Sequence, residues 1–351
     1  MADTADSILR VDRLTKRYDV STPWLARILA REKRRVVHAV EDVSFSVVRG
    51  TTFALVGESG CGKSTIARCI AGILPVTGGS ISFMGTDIAH FRSRRAALPY
   101  RRNLQMIFQD PYASLNPRWS VARIIAEPIV THHLIKERTK IDARVAELLR
   151  LVGLSPADRR KYPHQFSSGQ RQRISIARAL ASEPAFLVCD EPTSALDVSV
   201  QAQILNLMRR LQQRLGLTYL LISHNFAVVA HMADQIGVMY LGRLVEWGDA
   251  AAVLDAPQHP YTRMLLDTVP DIDSPERPRQ TLKGEVPSPL SPPPGCAFHP
   301  RCPLASERCR REQPAPIKSD AAFVACHAVE ERRVAADPPA WTADDGVPAF
   351  R

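Results

Sequence analysis

Gly57-Glu58-Ser59-Gly60-Cys61-Gly62-Lys63-Ser64-Thr65 sets glycines, a lysine and two hydroxyls in the order of a P-loop. Glycines at these positions let backbone N–H groups turn inward around an anion, and a helix opening at Lys63 adds the partial positive charge of its N-terminus. Lys63 then reaches the β- and γ-phosphates of a nucleoside triphosphate, and Ser64 offers its hydroxyl to Mg²⁺. Further along, Phe186-Leu187-Val188-Cys189 is an apolar run ending in two acids, Asp190 and Glu191. Burying the run and exposing the acids puts both carboxylates at the C-terminal edge of a sheet, where open α/β folds bind ligands. Asp190 is the expected holder of Mg²⁺ through its water shell, and Glu191 the expected general base for an attacking water.

These groups need strands and helices in a set order. Alternation predicts strands at Ile8 to Leu14 and Val43 to Val48, then a short apolar strand, Thr52 to Val56, entering the glycine loop, and a helix from Lys63 to Ile73 leaving it. Asp19 to Val37, with Trp24 and a basic run, reads as an insertion. After a strand at Leu104 to Phe108, residues 110–168 lack β-rich runs and show helical spacing (Val145, Leu148, Leu149, Val152), which predicts a helical subdomain. Alternation then resumes with a helix at Gln170 to Ala181, strand Ala185 to Cys189, helix Val200 to Leu215 and strand Thr218 to Ile222. Two further strands are expected at Gln235 to Tyr240 and Leu244 to Trp247. The prolines beyond Asp267 predict a linker into a small separate module, so residues 1–267 form one expected domain, 268–331 a second, and 332–351 a disordered tail.

The chain has 351 residues, 45% of them hydrophobic, enough for a substantial core. No apolar run approaches the ~20 residues of a membrane-spanning helix, and Met1 to Arg13 lacks an apolar signal core, so a cytosolic protein is expected. The balance of 46 basic to 36 acidic residues, a net charge of +10, fits a mixed solvated surface and is compatible with nucleic acid or an anionic membrane.

Phe166-Ser167-Ser168-Gly169-Gln170, upstream of the two acids, resembles the signature sequence of ABC-transporter ATPases. The other elements of that family follow in order. Gln109 resembles the Q-loop glutamine, Ser194-Ala195-Leu196-Asp197 the D-loop, His224 the switch histidine and Tyr18 the aromatic that stacks on adenine. The resemblance covers residues 8–250 and implies an α/β P-loop NTPase fold, ATP with Mg²⁺ held by Ser64, Gln109 and Asp190, and a head-to-tail dimer. In that dimer Ser167, Ser168, Gly169 and Gln170 contact the ATP of the partner, Asp197 communicates across the interface and His224 meets the γ-phosphate. Two departures stand out: Ser168 where the family usually has glycine, with a weaker half-site expected, and Asn225 where aspartate is more usual.

Gln109-Asp110-Pro111-Tyr112-Ala113-Ser114-Leu115-Asn116-Pro117, Tyr162-Pro163-His164-Gln165-Phe166, His259-Pro260-Tyr261-Thr262 and Gly284-Glu285-Val286-Pro287 are similar to the oligopeptide/dipeptide importer branch. The insertion with Trp24 is similar to the second, F-type, ATPase of such importers. The implied partners are two membrane permease subunits, a second similar ATPase and, indirectly, an extracellular solute-binding protein, with the chain peripheral on the cytoplasmic face. A soluble ABC ATPase acting on nucleic acid is the competing class; it generally carries two ATPase halves or a long coiled-coil insert, and this chain has neither. Intact Lys63, Asp190, Glu191 and His224 argue against a non-hydrolysing sensor.

Cys296, Cys302, Cys309 and Cys326 crowd a Pro-rich stretch with little apolar content, where a metal centre could supply folding energy. Related importer ATPases carry a [4Fe–4S] cluster here, and structural Zn²⁺ is the alternative. Cys61, Cys69 and Cys189 read instead as buried small hydrophobes.

Overall fold

The computed structural model describes residues 6–22, 34–91, 93–268, 284–319 and 321–334. Residues 23–33 of the Trp24 insertion, 269–283 of the expected linker and most of the expected tail lie outside the described residues, while the ends of the insertion continue β1 and β2. In chain order the strands are β1 (Ser7–Asp19), β2 (Val36–Val48), β3 (Thr52–Val56), β4 (Gly78–Phe83), β5 (Thr86–Asp87), β6 (Leu104–Ile107), β7 (Phe186–Asp190), β8 (Thr218–Ile222), β9 (Gln235–Tyr240), β10 (Arg243–Asp249), β11 (Ile317–Ser319) and β12 (Ala322–Val324). The helices that matter to the site are α1 (Lys63–Ile70), α2 (Pro111–Ser114), α3 (Val121–Thr131), α4 (Arg138–Leu151), α5 (Ser168–Leu180), α6 (Val198–Leu215), α7 (Phe226–Met232) and α8 (Pro260–Asp267).

The strands form two sheets. One is antiparallel, ordered β2-β1-β4-β5; the other runs β11-β12-β10-β9-β3-β8-β7-β6. In the second, β9, β3, β8, β7 and β6 are mutually parallel, and β3, β7 and β8 are buried along their whole length. Strands covered on both faces must be apolar throughout, which is why they read as short apolar runs rather than as alternation. Helix α1 fills the space between the sheets with Ile66 and Ile70, packed with Leu9, Phe83, Leu55 and Val188. On the other face, α3 to α6 build one core around Ile125, Leu148, Leu149, Ile174 and Ile204. The helical spacing of Val145, Leu148 and Leu149 marks the buried stripe of α4, as the pattern predicts.

The C-terminal stretch departs from expectation. Rather than standing apart, β12 pairs antiparallel with β10 and β11 pairs with β12, so residues 317–324 extend the main sheet. Trp247 of β10 stacks on Phe323 of β12 with ring centroids 5.3 Å apart. The edge of β10 has unpaired N–H and C=O groups that a neighbouring strand satisfies, a drive that composition alone does not display. The helix leaving the glycine loop also ends earlier than the expected Ile73, at Ile70, with Gly72 in a left-handed turn just beyond it.

Candidate functional site

The residues assigned to the phosphates of this chain's own nucleotide sit at or just past the C-terminal ends of parallel strands: the glycine loop after β3, Gln109 after β6, Asp190 and Glu191 at the end of β7, and His224 after β8. Four parallel strands ending together converge these side chains on one edge.

The glycine loop wraps the N-terminus of α1. Gly62, the residue before the helix, has φ 107°, and a Cβ there would lie 2.3 Å from the Ala39 carbonyl oxygen of β2, so only glycine fits. Lys63 is buried, and its ammonium donates to the carbonyls of Gly57 at 2.7 Å and Glu58 at 2.9 Å. The hydroxyl of Ser64 donates to Asp190 Oδ1 at 2.8 Å, joining the start of α1 to the end of β7. Burial raises the Asp190 carboxyl above its ordinary value, while the Ser64 hydrogen bond and the cations Arg68 and Lys63 act the other way. Ser64 and Asp190 together are the oxygen donor set that suits Mg²⁺. Ser59, Gly60, Cys61 and Thr65 complete the loop, and Cys61 is buried with its thiol shifted upward by desolvation.

Glu191 is held from both sides. Gln109 Nε2 donates to its Oε2 at 2.9 Å, and His224 Nδ1 lies 3.0 Å from its Oε1. Its backbone sits at φ 46°, a left-handed conformation that a non-glycine residue adopts only under constraint. The constraint includes its N–H, which donates to the Ile222 carbonyl at 3.0 Å. Asn225 serves as N-cap of α7, its Oδ1 accepting from the Ala227 N–H at 2.9 Å, a task asparagine does as well as aspartate.

Ser167 is the N-cap of α5 in a capping box: its hydroxyl accepts from the Gln170 N–H at 3.3 Å, and Gln170 Oε1 accepts from the Ser167 N–H at 3.1 Å. Ser168 is exposed in the single chain. The steric demand falls one residue later, because a Cβ on Gly169 would lie 2.5 Å from Val200 Cγ1 of α6. Arg171 of α5 stands over the Tyr112 ring, and Arg178 donates to the Ser114 carbonyl, which ties the segment after Gln109 to the helix that Ser167 caps. Asp197 precedes α6 and is exposed.

Tyr18 lies half-buried in β1 opposite Val37, with the Lys16 ammonium 4.8 Å from its ring centroid. The four late cysteines are free thiols, and burial pushes Cys296 up to about 11 and Cys302 up to about 12. Cys296, Cys302 and Cys326 each feel at least one other thiol of the group electrostatically, and the Cys296 N–H donates to the Cys309 carbonyl at 2.8 Å, so the four share a neighbourhood. Among the described residues no three His, Cys, Asp or Glu side chains converge where one metal ion could sit, which bears equally on zinc and on an iron–sulfur cluster.

Sequence reasoning did not assign three side chains that the fold brings to the loop. The Tyr261 hydroxyl accepts from the Glu58 N–H at 3.0 Å, and Arg301 donates to both carboxylate oxygens of Glu58, at 2.7 and 3.0 Å. Phe298 packs against Tyr240 and Tyr261. Beneath them Glu246, buried and raised to about 7, accepts from the N–H groups of Gln258 and His259 at 2.7 and 3.0 Å and so holds the turn into α8. The His259-Pro260-Tyr261-Thr262 run carried a local signal, a proline at the first helical position. Arg301 carried none.

Two family models match, one described as ABC transporter over residues 40–194 and one as oligopeptide/dipeptide transporter, C-terminal region, over 245–309. A probable peptide ABC transporter ATP-binding protein, y4tS of Sinorhizobium fredii, is 48% identical, covering 92% of this chain and 90% of its own. The di/tripeptide transport ATP-binding protein DppF of Pseudomonas aeruginosa is 47% identical over 93% of this chain and 99% of its own. The solved dimer of the ATP-binding cassette MJ0796 in a post-hydrolysis state with ADP and Pi superposes with a TM-score of 0.60 at 23% identity, over 69% of this chain and 98% of that one, a likeness of fold.

Proposed function

The chain belongs to the ATP-binding subunits of peptide ABC transporters, a family of ATP-hydrolysing enzymes, and on that premise we propose that it energises uptake of peptides through membrane permease subunits. The observation that carries the reading is the single edge on which Lys63, the Ser64–Asp190 pair and the Gln109–Glu191–His224 trio meet.

In this reading Lys63 exchanges the Gly57 and Glu58 carbonyls for the β- and γ-phosphates, and the N–H groups at the start of α1 complete the cradle. Ser64, Asp190 and Gln109 are the proposed holders of Mg²⁺, which neutralises phosphate charge when bound. Gln109 and His224 aim the Glu191 carboxylate at the attacking water, whose proton it accepts, and His224 stands ready for the γ-phosphate. The exposed N-terminus of α5 at Ser167 and Ser168, together with exposed Asp197, is proposed to close over nucleotide held by a second ATPase subunit, head to tail. That partner is proposed to be a similar but distinct chain, the pair docking on two permeases at the cytoplasmic face of the membrane. What supports the permease partnership is the peptide-transporter family of the relatives.

A [4Fe–4S] cluster on Cys296, Cys302, Cys309 and Cys326 is part of the proposal; what supports it is four free thiols in one neighbourhood. Iron quantification and a visible spectrum on anaerobically purified protein test it, and protein without iron ends it.

Glu191→Gln is the experiment for the ATPase mechanism. With the permeases and partner ATPase present, it is expected to trap an ATP-bound assembly and lower turnover by about 10²-fold or more. Wild-type turnover in that variant would refute the role given to Glu191.

A further inference from the structure

Arg301 comes from the stretch between Cys296 and Cys302, 243 residues after Glu58, yet its side chain is only 3% exposed and both its terminal nitrogens are turned onto the Glu58 carboxylate. Glu58 is the second residue of the glycine loop. Its N–H is taken by the Tyr261 hydroxyl, its two carboxylate oxygens by Arg301, and its carbonyl by the Lys63 ammonium at 2.9 Å. Residue 58 is thus held at every polar group, and the partners of its N–H and its carboxylate come from outside the ATPase motifs. Arg301 is itself fixed, its guanidinium carbon 5.8 Å from the Tyr240 ring centroid, while Phe298, three residues earlier, is 1% exposed and packs edge-on to that same ring.

We propose that Arg301 is a positioning residue for ATP binding: through Glu58 it holds the glycine loop in the shape that takes a triphosphate. The C-terminal stretch thereby becomes a latch on the nucleotide site. The inference rests on the reading of residues 57–65 as the ATP site. A loop pinned in advance loses less freedom when the phosphates arrive, and a bidentate guanidinium–carboxylate pair fixes orientation as well as distance. The pair lies on the P-loop side, whereas Glu191, Gln109 and His224 hang from β7, β6 and β8. Loosening it therefore weakens ATP binding without touching the groups that orient water.

The test compares wild type with R301A, R301K, E58A and the R301A/E58A double variant, each assembled with partner ATPase and permeases. ATP turnover is measured across ATP concentration. R301A is expected to raise KM for ATP about tenfold with kcat changed less than about twofold, the pattern of lost binding rather than lost chemistry. R301K, which keeps the charge without the fork, is expected to recover part of the loss. The double variant is expected to match the single ones, because both remove one contact. Unchanged KM in R301A, a fall in kcat beyond about twofold, or additive single effects would each overturn the proposal. If R301A fails to fold, E58A breaks the same pair from the loop side, and an unchanged KM there overturns it equally. A wild-type assembly that neither binds nor hydrolyses ATP removes the underlying reading and this proposal with it, whereas an active wild type with an indifferent R301A removes the proposal alone.

Discussion

Glu191 shows how a residue can be legible in type and hidden in conformation. Two acids after an apolar strand announce their chemistry, but the left-handed backbone at Glu191 and its two side-chain partners depend on β6 and β8, which are distant in sequence. His259 is a second case. It is buried, its Nδ1 accepts from the Tyr261 N–H at 3.0 Å, and its Nε2 has no hydrogen-bond partner among the described residues. Burial lowers its pKa from 6.5 to about 3, so it stays neutral when folded and gains a proton when unfolded. Its contribution to stability is therefore complete above about 6.5 and is lost as pH falls toward about 3. Glu246, raised to about 7 from 4.5, acts in the opposite sense: its contribution falls as pH rises through that window. Comparison of wild type with a His259 variant separates the two. His259→Asn keeps a cap acceptor for Tyr261 without a titrating ring, and is expected to flatten the decline in melting temperature between pH 6.5 and 4 relative to wild type. Parallel pH profiles for the two proteins would contradict this account.

At the scale of elements, strand and helix identity followed from periodicity where one face or both were buried, as in β8, β9 and α4. Boundaries and short elements did not. Helix α7 and the β4–β5 hairpin are brief and take their stability from neighbours, so they left little local pattern. The contact of α5 with α6 is decided by the meeting of two helices. Gly169 to Ala would ordinarily favour a helix by about 1 kcal/mol. Here the added Cβ meets Val200 Cγ1 at 2.5 Å, so Gly169→Ala is expected to destabilise by about 1–3 kcal/mol in denaturant unfolding, and Val200→Ala in the same chain to restore most of it. A stabilised Gly169→Ala would mean the helices part easily and the glycine serves the nucleotide rather than the packing.

For the whole molecule, the decisive fact is that the C-terminal stretch is built into the ATPase body. It contributes β11 and β12 to the main sheet and Phe298 to the aromatic group under the glycine loop. Phe298→Ala should therefore cost about 3–5 kcal/mol, as for other buried aromatics, and lower the melting of the entire chain in a single transition. Two separated transitions in calorimetry, with the ATPase part unmoved, would show the stretch to be an independent module after all.

The sequence by itself determined the chemistry: a glycine loop with Lys63 and Ser64, two acids, a glutamine and a histidine in a fixed order, each tied to the end of its own strand. Those features are local, because the glycines, the apolar runs and the turn into a helix are written in neighbouring residues. The tertiary structure decided which distant groups answer them. The Gln109–Glu191–His224 trio spans 82 and 33 residues and the Arg301–Glu58 pair spans 243, separations over which chain spacing carries no information about contact. Only the parallel order of the sheet, and the packing of a late arginine beneath Tyr240, brings them within hydrogen-bonding distance.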